Sequence, residues 1–145
     1  MSRIRLLAAP LAIAATASLA AAVAPLAMKW EGKLAGNGAS KITGVISLTP
    51  SPDGKTSMAT VEFEGDTPSV TRPWHVHIGS CDKGGGVFGG GIAYKPVVVD
   101  DKGHGISSAA LTIAAPDTGS YYVNIHESAA NMRTIVACGD LKMKH

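Results

Sequence analysis

His75 and His77 flank a single valine in the run Trp74-His75-Val76-His77-Ile78-Gly79-Ser80-Cys81. In a strand, residues two apart project from one face, so the two imidazoles stand side by side and Val76 points the other way. Neutral imidazole is a ligand for copper, zinc, nickel or iron, and two rings on one rigid strand lose little entropy on binding. A third imidazole, His126, follows much later in Val123-Asn124-Ile125-His126-Glu127-Ser128. Brought alongside by another strand, it completes a three-nitrogen site. A His-x-His pair alone is more often two solvated or hydrogen-bonded histidines, so the reading depends on what the remaining chain builds.

Other chemistry-bearing residues are weaker. Gly84-x-Gly86-x-x-Gly89 matches the dinucleotide fingerprint in form, but no helix follows to present its N-terminus to a phosphate. Those glycines suit a short loop crossing the mouth of a barrel. Ser120 and Ser128 lie near His126 without an acid partner, which argues against a hydrolase triad. Met132 offers a soft sulfur for copper(I), though a lone Met is more often packing. His104, in Asp101-Lys102-Gly103-His104-Gly105, reads as an exposed turn residue, and Glu127 should face away from His126. Trp74 reads as core or as a lid beside the histidines.

The elements that must position these residues are strands. Gly and Pro recur along the chain, and no long stretch has helical periodicity. Strands are expected over Met28 to Ala35, Ile42 to Leu48, Ala59 to Glu64, Trp74 to Ile78, Tyr94 to Val99, Ile106 to Ala114, Tyr121 to His126 and Thr134 to Leu141. Pro50-Ser51-Pro52-Asp53-Gly54, Asp100-Asp101-Lys102-Gly103 and Pro116-Asp117-Thr118-Gly119 supply turns. The tail Lys142-Met143-Lys144-His145 is expected to fray. About seven or eight short antiparallel strands make an all-β sandwich or small barrel.

Residues 1–24 read differently. Arg3 and Arg5 precede an uncharged run rich in Ala and Leu, ending among small residues, which is the pattern of a secretory signal peptide. The alternative is a retained anchor, for which the run is barely long enough. Residues 25–145 then form a single domain of about 120 residues, enough for a real core. Arg3 and Arg5 are two of 13 basic residues, so this domain carries 11 basic against 11 acidic residues. A near-neutral balance argues against nucleic acid or an anionic membrane as partner. Two cysteines in a chain bound for the periplasm or the exterior are expected to pair, against the alternatives of free thiols or an intermolecular bridge.

Taken in order, Trp74-His75-Val76-His77-Ile78-Gly79-Ser80-Cys81, then Val123-Asn124-Ile125-His126-Glu127-Ser128, then Ile135-Val136-Ala137-Cys138-Gly139-Asp140-Leu141, resemble the copper/zinc superoxide dismutase family. The likeness runs from about Met28 to Leu141, the first three strands being alike only in pattern. The stretch from Tyr121 to His126 also resembles chordin-type repeat domains. The family resemblance implies a Greek-key β-barrel, with His75, His77 and His126 as copper ligands and Cys81 and Cys138 as the disulfide. The family's bridging histidine and zinc ligands have no counterpart in Asp82 to Gly91, so no zinc site of the family kind is expected, and a fourth copper histidine is missing too. Ile135 stands where the family has its substrate-guiding arginine, and Arg133, two residues earlier, is the candidate substitute. These features point to a periplasmic or secreted copper-binding protein with residual superoxide dismutation, whose partners are the copper ion, superoxide or a copper-accepting protein. The alternative is a structural or adhesive barrel without metal, in which the three histidines do not converge. A three-histidine zinc site activating water ranks last.

Overall fold

The computed structural model describes residues 28–144. The leader expected over residues 1–24 lies outside the described residues. Nine strands form in chain order: β1 (Lys29–Gly36), β2 (Thr43–Pro50), β3 (Ser57–Glu64), β4 (Thr71–Arg72), β5 (Trp74–Ile78), β6 (Val97–Val98), β7 (Gly105–Leu111), β8 (Tyr121–Ser128) and β9 (Asn131–Lys144). Among the described residues the only helical piece is one 3₁₀ turn at Gly91–Ala93.

Seven strands make one antiparallel sheet in the order β5-β8-β9-β1-β2-β3-β7, curled into a half-barrel, and β4 pairs with β6 in a second small sheet. The chain runs as a meander through β1, β2 and β3. It then crosses to the far edge at β5, returns to pair β7 with β3, and crosses again so that β8 lies beside β5. These crossings make the fold a Greek-key half-barrel.

Alternation decides which face is buried. In β3, Ser57, Ala59, Val61 and Phe63 point inward, while Met58, Glu62 and Glu64 are exposed. Trp30 and Leu34 of β1, Ile46 and Leu48 of β2, Trp74 and Val76 of β5, and Val123 and Ile125 of β8 fill the same core. Trp74 is therefore a core residue, its ring edge-on to Tyr94 and its Nε1–H donated to the Lys95 carbonyl at 2.9 Å.

Three boundaries differ from the sequence expectation. The extended segment expected over Tyr94 to Val99 is a strand only at Val97–Val98, because Tyr94 closes the 3₁₀ turn and Pro96 has no N–H for a ladder. The strand expected over Ile106 to Ala114 stops at Leu111. The tail does not fray at Lys142 to Lys144: it extends β9 along β1, with Lys142 opposite Glu31, Met143 opposite Trp30 and Lys144 opposite Lys29. Leu141 is buried there and Met143 packs against the core, so alternate residues of the tail bury apolar surface while Lys142 and Lys144 stay exposed.

Candidate metal centre

The outer face of β5 and β8 carries the histidines. Trp74 and Val76 face the core, so His75 and His77 between and beyond them face out. Register places His75 opposite Asn124 and His77 opposite Tyr122, and His126 continues that face of β8. The three residues come together: one ring nitrogen from each lies within 4.8 Å of the others. Nδ1 of His75 stands 3.2 Å from Nε2 of His126. Nitrogens that share one ion at about 2.0–2.1 Å stand about 3.3–3.5 Å apart, so one pair is already at that spacing.

Hydrogen bonds decide which nitrogens are free. Nδ1–H of His77 donates to the Gly85 carbonyl at 3.0 Å, and Nδ1–H of His126 donates to the Met132 carbonyl at 2.7 Å. Both rings are thereby held in the tautomer whose Nε2 carries the lone pair. Nε2 of His77 is buried and has no hydrogen-bond partner. An orphaned buried acceptor is costly, and a cation between three such nitrogens would satisfy it. The facing nitrogens are thus Nε2 of His77 and of His126 and Nδ1 of His75, which in the metal-free chain donates its proton to His126 and would move it to its own Nε2 to bind an ion. Such a set of imidazoles could hold a metal ion.

Burial keeps the rings of His75 and His126 neutral. Burial, then the proximity of His126 and His77, pushes the pKa of His75 down to about 4. Burial also lowers that of His126, partly opposed by its bond to the Met132 carbonyl. Neutral rings offer their lone pairs at neutral pH without first losing a proton.

Packing fixes the ring planes. His77 stacks on Tyr122 with centroids 5.1 Å apart, and His75 meets Tyr94 edge-on at 5.3 Å. The Tyr94 hydroxyl donates to the Phe88 carbonyl at 2.7 Å. The segment after β5 turns back along that strand's free edge, where Ile78 donates to the Gly86 carbonyl and Phe88 to the Val76 carbonyl. It needs glycine at 85, because a Cβ there would sit 2.0 Å from the Ile78 oxygen. Gly85 also donates its N–H to the Tyr122 hydroxyl at 3.2 Å, so one residue links the loop, the ligand ring and β8.

Cys81 and Cys138 form a disulfide that pins this loop to the same outer face, Cys138 lying opposite Asn124. The Cys81 N–H adds a hydrogen bond to the Asp140 carboxylate at 2.8 Å.

The remaining candidates are not members of the cluster. His104 is exposed in its turn, where its backbone N–H donates to Asp100. Glu127 is exposed and accepts from Asn131. Met132 gives its backbone carbonyl to His126, and its side chain is exposed. Arg133 is exposed on β9, and among the described residues it makes no ion pair. Sequence reading missed Gly85, Tyr94 and Tyr122 as supports of the histidines. Only the aromatic Tyr122, two positions from Asn124 on an alternating strand, left a signal that could have found it.

No protein-family model matches the chain, and no curated relative matches it.

Proposed function

We propose that this chain is an exported copper-binding protein with a superoxide-dismutase-like site reduced to three histidines. The observation that carries the reading is the buried, unpartnered Nε2 of His77 beside the facing nitrogens of His75 and His126. Imidazole nitrogen suits copper, and copper(II) stands highest in the affinity order of the divalent first-row metals. The paired cysteines fit an oxidising compartment, the periplasm or the exterior, in keeping with the signal-like leader.

His77 and His126 would bind through Nε2 while their Nδ1–H groups stay on backbone carbonyls, which fixes ring orientation and raises ligand basicity. His75 would bind through Nδ1, giving up its contact with His126. Three protein ligands leave a position open for water, superoxide or a ligand from a copper-accepting protein. Copper held there would supply one-electron chemistry, alternating between Cu(II) and Cu(I) as one superoxide is oxidised and the next reduced. The chain adds little steering: its balance of charge is near neutral, and Arg133 is the only cation assigned to that task. Copper storage or delivery therefore ranks above fast dismutation.

The test expresses the full chain with its leader and measures bound metal and superoxide removal, beside His126→Ala and a His104→Ala control. One copper per chain, lost in His126→Ala and kept in His104→Ala, is the expected result. Superoxide removal by the copper-loaded protein would add dismutation. Zinc in place of copper would give the hydrolytic reading, and no metal in any of the three would leave a structural or adhesive module.

A further inference from the structure

His126 stands where both of its strand's ladders give out. On one side, the pairing of β8 with β9 is interrupted by register shifts between Ile125 and His126 and again before Ser128. On the other, the pairing of β5 with β8 ends at Trp74 opposite Ile125. The next rung would set Pro73 against His126, and proline has no N–H to give. Half of that rung exists: the His126 N–H donates to the Pro73 carbonyl at 2.8 Å. His126 stays paired with Ile135 between the two shifts, but the irregular ladder holds it less firmly than its neighbours.

Arg72 supplies a further hold. Its Nη1 donates to the carbonyl of Glu127, the residue after His126, at 2.7 Å. Its Nε and Nη2 fork onto the two carboxylate oxygens of Asp66, each at 2.7 Å. The pair is nearly buried, with side-chain exposures of 11% and 5%. Asp66 is itself anchored: its N–H donates to the Gly103 carbonyl, and its carboxylate accepts the Thr67 N–H at 2.7 Å. The backbone of Arg72 lies in β4, opposite Val97. A buried ion pair is weak evidence for stability on its own. This one sends its remaining donor to the backbone beside a candidate ligand.

We propose that Arg72 and Asp66 are positioning residues for His126, fixing the backbone just after it, at Glu127, and so the direction from which Nε2 reaches the metal. The functional meaning of this clamp rests on the copper reading above, but the clamp itself is a property of the metal-free chain. Lysine at 72 would keep the charge and could not make both the fork and the Glu127 contact. Asparagine at 66 would keep the shape of the anchor and remove its charge.

The test compares full-length wild type with Arg72→Lys and Asp66→Asn, and uses Leu48→Val, deep in the core, as a control for plain destabilisation. Nitrogen-15 NMR of the metal-free proteins should show a single Nδ1–H tautomer for His126 in wild type and in Leu48→Val, and a mixture in the clamp variants. Copper titration against a competing chelator should give affinities about 10- to 100-fold lower in the clamp variants, with altered Cu(II) paramagnetic resonance parameters. Leu48→Val should lower only the melting temperature. An unchanged His126 tautomer in the clamp variants overturns the clamp, whatever their melting temperatures. If wild type takes up no copper, the copper reading fails and the tautomer measurement alone decides the clamp. Should Arg72→Lys not fold, Asp66→Asn carries the same test.

Discussion

The two ends of the sheet are built on different rules. From β1 to β3 the ladders run unbroken, from Ala35–Thr43 to Trp30–Leu48 and from Thr43–Glu64 to Pro50–Ser57. That end alternates inside and outside and holds no candidate ligand. At the β5–β8 end the ladder stops at a proline, β8 slips against β9 at His126, and a glycine-rich loop closes the free edge of β5. Regular pairing maximises buried apolar surface, whereas interrupted pairing lets a strand re-aim one side chain. The outer face of the second end buries His126 and leaves Nε2 of His77 without a partner. A folded chain tolerates that only where something else compensates.

Substitutions should separate these two ends. Replacing Cys81 and Cys138 together by serine should have the largest effect on stability, about 4 kcal/mol from the freed loop by the chain-entropy relation. Chemical denaturation should show it, and the slackened loop should also weaken metal retention. Leu48→Ala, at the regular end, should cost about 3 kcal/mol in the same assay, because Leu48 is fully buried and its removal leaves a void in the core. Its copper affinity per folded molecule should stay that of wild type; a fall would show that the two ends are coupled through the core. Gly85→Ala should weaken copper binding about 10-fold and also lower the melting temperature, since the clash with the Ile78 oxygen displaces the carbonyl that holds His77.

The smallest expected effect is a pH slope. The folded pKa of His75 is about 4 against an ordinary 6.5. Above pH 6.5 neither the folded nor the unfolded metal-free chain holds that proton. As pH falls from 6.5 towards 4 the unfolded chain takes the proton that the folded site refuses, so stability is lost across that window. Denaturation of chelator-treated protein at several pH values should trace the slope, and His75→Gln should flatten it. An unchanged slope in that variant would place its origin elsewhere.

The all-β class, the edges of β1, β2, β3 and β8 within a few residues, and the turns at Pro50 and Asp100 were legible because period-two alternation and turn residues act locally. So was the pair His75 and His77, since His-x-His on a strand needs only the strand. The frayed tail was misjudged because Lys142 and Lys144 look solvated, and their alternation with Leu141 and Met143 matters only once β1 lies alongside. Arg72 and Asp66 carried no sequence signal, since Arg72 on β4 and Asp66 six residues before it gain a purpose only through Glu127.

By itself, then, the sequence determined that β5 would present His75 and His77 together and that two cysteines were available to pair. Local geometry suffices for that, because side chains two apart on a strand share a face whatever surrounds them. Tertiary structure alone decided that His126 arrives beside them, which nitrogen of each ring is left free, and that Cys81 and Cys138 meet on that same outer face. Those outcomes depend on backbone carbonyls of Gly85 and Met132 and on a break in the β8–β9 register. Long-range pairing places such groups, and no local pattern in the chain encodes it.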